Sequence, residues 1–192
     1  MCCLRVAEKE RGEENIVTEV WKTVLHDFSQ PAGYLFPAIV ISVLARLLWR
    51  IGKKKRKCRK YSWKQWGFQV VVLAYVLILI QTAIFSRAPG SRAGMSMRLL
   101  ETWGSTAKAH AFFIENILMF VPFGILFPVV FDKLRRMWQC VLIGFICSCG
   151  IELIQLATQR GYCQLDDIVT NTVGCAVGWM VWKAVGEIRG GI

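Results

Sequence analysis

Between Trp66 and Phe85 the chain reads WGFQVVVLAYVLILIQTAIF, a run without a single charge. A helix needs about 20 mostly apolar residues to cross the hydrocarbon core of a bilayer. Inside that core every backbone N–H and C=O must find its partner within the protein, so the run reads as helix. Four further stretches share its character. They are Ala32 to Ile51, with Arg46 and Arg50 near its end; Ala109 to Phe131, carrying Glu115 and Asn116; Trp138 to Ala157, carrying Glu152 and Gln155; and Ile168 to Gly186, carrying Asn171 and Lys183. Buried helices of a soluble domain imitate one or two such runs, but not five in 192 residues. The composition agrees, with 55% apolar residues and a mean hydropathy of +0.42. It excludes a disordered chain, a disulfide-stapled mini-protein and a water-soluble enzyme. The expected fold is all-α: an integral membrane helical bundle of about five transmembrane helices, preceded by an N-terminal amphipathic helix.

That leading helix is read from periodicity. Residues 1–15 are charged, and no cleavable signal peptide is evident. From Ile16 onward Ile16, Val17, Val20, Trp21, Val24, Leu25 and Phe28 recur at helical spacing, until Pro31 ends the segment. Such a helix lies on a membrane surface or packs on the outer loops. The chain therefore divides into an N-terminal segment (1–31), a first span with a basic loop (32–65) and a membrane domain (66–186).

The net charge of +11 is placed asymmetrically. Nine Lys and Arg residues fall between Arg50 and Lys64. Placing that loop in the cytoplasm puts 14 basic residues inside and nine outside, over longer outer segments, as the positive-inside rule requires. The N-terminus is then outside and the C-terminus cytoplasmic, in a multi-pass protein of the cell membrane. Trp49, Trp63, Trp66, Trp138, Trp179 and Trp182 fall near cytoplasmic helix ends, as an interfacial belt would. The basic loop attracts anionic lipid at about 1 kcal/mol per residue. No aromatic platform accompanies it, so membrane lipids and not nucleic acid are the expected partners.

Cysteine chemistry is not indicated. Cys140, Cys147, Cys149 and Cys175 fall inside spans, where Cys behaves as a small apolar residue. His26 and His110 stand apart, so neither a metal nor a cofactor is expected. No P-loop, dinucleotide fingerprint or nucleophile elbow occurs. Cys163, outside, and Cys58, inside, would report sidedness by labelling intact cells.

The polar residues within spans carry the functional reading, because ionisable groups are costly there. At about 1.5 Å per residue, Glu115 and Asn116 lie about 9–10 Å below the outer boundary, Glu152 about 9 Å, and Asn171 about 5 Å. Gln155 is shallower. Asp166 and Asp167 stand at the mouth of the last span, Arg160 in the loop before it, and Arg87 at the outer end of the second span. All converge on one leaflet. Gly144, Ser148 and Glu152 make one stripe; Asp167, Asn171, Gly174 and Gly178 make another, which predicts a tight hairpin of the last two spans. Pro122 predicts a kink in the span of Glu115. Such a cluster can glue helices, bind a lipid headgroup, or do acid–base work with Glu152 and Asp167 as the catalytic candidates.

The ordered set ENILMFVPFGILFP (115–128), GIELIQ (150–155), Arg160 and DDIVTNTVGCAVGW (166–179) resembles the VanZ family of bacterial membrane proteins. The likeness covers roughly residues 66–186, and a Phe-Ser-Arg step brings Arg87 into it. The founding member is associated with low-level resistance to glycopeptide antibiotics, especially teicoplanin, and no chemical mechanism accompanies the family. The resemblance implies a cell-envelope protein whose outer-leaflet site, Arg87, Glu115, Asn116, Glu152, Gln155, Arg160, Asp166, Asp167 and Asn171, binds a lipid-linked precursor or lipoglycopeptide. An intramembrane enzyme acting on a lipid headgroup is the alternative. Five short helices offer little room for a transport pathway unless copies of the chain associate as a homo-oligomer.

Overall fold

The computed structural model describes residues 15–29, 33–52, 63–86, 88–90, 94–99 and 106–188, with backbone only at 50–52. It is helical almost throughout. Helix α1 covers 15–29. It is followed by α2 (Leu35–Gly52), α3 (Trp63–Ile80), α4 (Ala107–Val130), α5 (Met137–Thr158) and α6 (Leu165–Ile188). A π-helical turn, Gln81–Phe85, extends α3, and a 3-10 turn, Asp132–Arg135, links α4 to α5. Among the described residues four helices are long and apolar enough to cross a membrane: α3 with its π turn, α4, α5 and α6. The apolar part of α2, Leu35–Trp49, is shorter. It is squeezed between Pro31 and the start of the basic run. The chain is a multi-pass membrane helical bundle.

The centre of the bundle is the pair α4 and α6, which run parallel. The sequence GCAVG (174–178) is the reason. A side chain added at Gly174 would strike the carbonyl of Ile117, and one at Gly178 the carbonyl of Val121. From the other side, one at Gly124 would strike the backbone of Cys175 and Trp179. Without a hydrophobic drive between helices in lipid, such backbone-to-backbone packing is what holds them. Here the expectation of a glycine-lined hairpin between the last two spans is revised: the α6 glycines face α4. The antiparallel α5 joins through larger atoms. Cys140 Sγ and Cys175 Sγ are 3.9 Å apart, and a side chain at Gly144 would come within 2.7 Å of Cys175 Sγ.

Leu79, Phe120, Phe123, Cys140, Cys175 and Trp179 form the apolar core. Trp179 faces the core and not the surroundings: its ring is buried and its Nε1–H donates to the Arg135 carbonyl (3.2 Å). Trp49, Trp63 and Trp138 are exposed, as a belt requires. Pro122 and Pro128 lie within a continuous α4. The Tyr75 hydroxyl donates to the Met119 carbonyl (2.9 Å) in the turn that Pro122 interrupts, which steadies that weak point.

α1 buries only part of its stripe. Val20 and Val24 pack on Ala111, with Ala107 and Ile114 beside them. Ile16, Val17, Trp21, Leu25 and Phe28 remain exposed. The helix thus docks on the first turns of α4 while presenting a second apolar row outward.

Candidate functional site

The end of the bundle where α3 and α5 stop and α4 and α6 begin gathers most of the polar side chains. The gathering begins with the π turn. A π turn loosens the regular i→i−4 ladder, so carbonyls near it need other donors. Gln155 Nε2 donates to the Ala83 carbonyl (2.8 Å), and Arg160 donates to the Ile84 carbonyl (3.3 Å). The Arg160 guanidinium also lies 5.3 Å from the Phe85 ring centroid, a cation–π distance. Arg160 can reach back because Gln159 adopts a left-handed conformation (φ 53°) that ends α5 and turns the chain.

The turn between α5 and α6 is stitched from both sides. Met95–Ser96 (β1) pairs in parallel with Cys163–Gln164 (β2), and the Cys163 N–H donates to the Gly94 carbonyl (3.0 Å). A side chain on Gly94 would meet the Tyr162 ring at 2.6 Å, so glycine lets the two strands close. From below, Glu152 Oε2 accepts the N–H of Gln164 (2.9 Å), just before α6 begins. A carboxylate there complements the positive end of the α6 dipole, as do Asp166 and Asp167 in its first turn. Glu152 is 1% exposed and Asp166 3%.

One turn deeper, Asn171 Nδ2 donates to Ser148 Oγ (2.9 Å), joining α6 to α5. Two buried amides are left with an acceptor to spare. Neither Gln155 Oε1 nor Asn171 Oδ1 has a hydrogen-bond partner among the described residues, although Gln155 is 4% exposed and Asn171 1%. A buried unpartnered oxygen costs about 1–3 kcal/mol.

The remaining expected members separate. Glu115 is half-buried on α4; the charges acting on it are Asp27, on the docked α1, and Lys108. Its Oε1 also has no partner among the described residues. Asn116 is half-buried on the same helix, beside the Ile117 carbonyl that abuts Gly174. Arg87 lies outside the described residues, as does Cys58. So Glu152, Gln155, Arg160 and Asn171 each bond to another element at this end of the bundle, where Asp166 and Asp167 stand in the first turn of α6. Glu115 instead belongs to the α1–α4 contact.

Sequence reasoning missed the part played by four residues. The Ala83 and Ile84 carbonyls are exposed by a π turn that leaves no mark on an unbroken apolar run. Ser148 lies on the stripe the spacing predicts, but its partner there, Asn171, is not legible in the sequence. Cys163, expected to be reachable from outside, is 4% exposed. Burial pushes its thiol up, helped by the charges of Glu152, Cys149 and Asp167. Among the described residues no three His, Cys, Asp or Glu groups form a metal-holding cluster.

Comparison with known proteins follows this geometry. No solved structure matches the chain. Protein VanZ of Enterococcus faecium is 32% identical over 65 residues, which is 34% of this chain and 40% of that protein. The chain thus spans well under half the length of that relative. The VanZ/LLP1 family model matches residues 68–186, from α3 through nearly all of α6 and so across every element of the polar cluster. That match covers more than half of the sequence, and the chain belongs to the VanZ/LLP1 family.

Proposed function

We infer that the chain is a cell-envelope membrane protein whose polar cluster lies in the outer leaflet and binds a lipid-linked precursor or a lipoglycopeptide. In binding it contributes to glycopeptide resistance of the teicoplanin type. The observation that carries this reading is the pair of surplus acceptors, Gln155 Oε1 and Asn171 Oδ1, buried with no donor among the described residues. Peptide N–H groups and sugar hydroxyls are donors of the complementary kind, and both occur in such ligands. A polar group held unpaired in protein interior is costly unless something supplies its bond. The family's association with teicoplanin supports the ligand class. The excess of Lys and Arg between Arg50 and Lys64 supports the orientation, with the N-terminus outside and the C-terminus cytoplasmic.

The test is glycopeptide susceptibility of cells expressing the wild type, Glu152→Gln, Arg160→Ala or Asp167→Asn. Protection should fall in each variant that reaches the membrane. Undiminished protection in all three would remove the site from the account. A second reading has one observation in its favour. Glu152 accepts the Gln164 N–H three residues before Asp167, which stands in the first turn of α6, so two carboxylates belong to one turn of the chain, as an acid and base would. Lipid extracts compared by mass spectrometry on overexpression separate the two readings, because only catalysis alters the lipid species.

A further inference from the structure

At the opposite end of the bundle α2 and α3 carry a second set of buried polar atoms, on Arg46, Trp66 and Gln69, at the edge of the segment that the family model matches, which takes in Gln69 but neither Arg46 nor Trp66. Ala38 and Ser42 are buried and four residues apart, and Arg46 continues that spacing, so the three share the face of α2 that packs on α3. Arg46 lies six residues before the end of α2 at Gly52, and Gln69 six residues after the start of α3 at Trp63. In an antiparallel pair this puts both about 9 Å from the loop end. Trp66, three residues before Gln69, shares its face of the helix.

Arg46 Nε–H and Trp66 Nε1–H are two buried donors without an acceptor among the described residues, and Gln69 Oε1 is a buried acceptor without a donor. No carboxylate of the described residues forms an ion pair with Arg46. A guanidinium within a span is costly unless it meets an anion or reaches the headgroups. The chain joining the two helices (53–62) contains seven Lys and Arg and no acidic residue, so anions concentrate at this end. Trp63 stands edge-on to Trp66 with ring centroids 6.1 Å apart and is itself exposed, as an interfacial tryptophan is.

We propose that the α2–α3 hairpin holds the phosphate of an anionic phospholipid from the leaflet on the basic-loop side. Arg46 and Trp66 donate to the phosphate oxygens, and Gln69 accepts from a headgroup hydroxyl. The pairing satisfies two orphan donors and one orphan acceptor with a single headgroup, which neither a carboxylate nor a bare apolar chain can do.

The test uses the full chain in nanodiscs of phosphatidylcholine with or without phosphatidylglycerol. Retained phosphatidylglycerol is counted by native mass spectrometry after transfer to detergent. The wild type should keep at least one phosphatidylglycerol molecule. Arg46→Leu should lose it, and Trp66→Phe, which keeps the ring and removes only the N–H, should retain at least several-fold less. Equal retention by all three proteins would overturn the proposal and leave the basic loop as the sole lipid attractor. Soluble glycerol phosphate at matched concentration is the second arm. It should not raise the melting temperature, and stabilisation equal to that given by the lipid would overturn a membrane source. Folding of each variant is checked by its melting temperature in phosphatidylcholine alone.

Discussion

Replacing Ser148 by Ala together with Asn171 by Leu separates a helix-gluing pair from a ligand site. The double change removes the 2.9 Å bond between α5 and α6. Interhelical side-chain bonds in membranes average about 0.6 kcal/mol, with an upper value near about 2. The same change removes the unpartnered Asn171 Oδ1, whose burial costs about 1–3 kcal/mol. Leu keeps the branched outline of Asn but is bulkier, and overpacking of that kind costs about 1–3 kcal/mol. Relief of the orphan oxygen roughly offsets this cost and the lost bond, so the ligand-free double variant should lie within about 1 kcal/mol of the wild type in stability. Ser148→Ala alone adds the Asn171 amide as a further orphan and should cost about 1–3 kcal/mol. Unfolding in mixed micelles with increasing dodecyl sulfate, followed by tryptophan fluorescence, reads both. The double variant should also lose protection against glycopeptide. A double variant less stable than wild type by more than about 1 kcal/mol would refute the reasoning, because Asn171 would then be a satisfied structural group.

Further outcomes follow from the packing. Gly178→Ala should destabilise by about 1–3 kcal/mol, since its new side chain meets the Val121 carbonyl. Gly150→Ala, which meets nothing within 4 Å, should instead stabilise by about 0.5–1 kcal/mol in the same titration. Cys163 should react with an external maleimide far more slowly at pH 8 than a cysteine introduced as Tyr162→Cys, because Tyr162 is exposed and Cys163 is not. The raised Cys163 thiol stabilises the fold fully below the unfolded value of about 8.5 and loses that contribution as pH climbs above it, so stability measured at pH 10 should be restored by Cys163→Ser. Tyr75→Phe should cost about 1 kcal/mol by freeing the Met119 carbonyl, read as a lower melting temperature.

What the sequence made legible was position along helices. Rise per residue placed Glu152, Gln155, Asp167 and Asn171 at one end of the bundle, because depth depends only on counting from the helix ends. Direction around each helix was less legible. Adjacency in sequence suggests a hairpin in which Gly174 and Gly178 face α5, but close packing sets them against the non-adjacent α4. Depth alone groups Glu115 with Glu152, whereas the docking of Val20 and Val24 on Ala111 brings the Asp27 charge to bear on it. The π turn after Ile80 was invisible because Gln81–Phe85 continues the same apolar run. Arg160 and Gln155, read as ligand contacts, proved also to satisfy the carbonyls that this turn exposes. That structural duty leaves one acceptor on Gln155 unused, and the functional reading rests on it.

The measurement that bears most directly on this account is calorimetric titration of the purified chain in nanodiscs with teicoplanin and, separately, with a lipid-linked cell-wall precursor, the wild type beside Gln155→Leu. The account predicts saturable binding of at least one of the two, weakened about tenfold or more in the variant, equivalent to about 1.4 kcal/mol for the lost acceptor. Heat signals absent for both ligands, or affinities the same in wild type and Gln155→Leu, would contradict it.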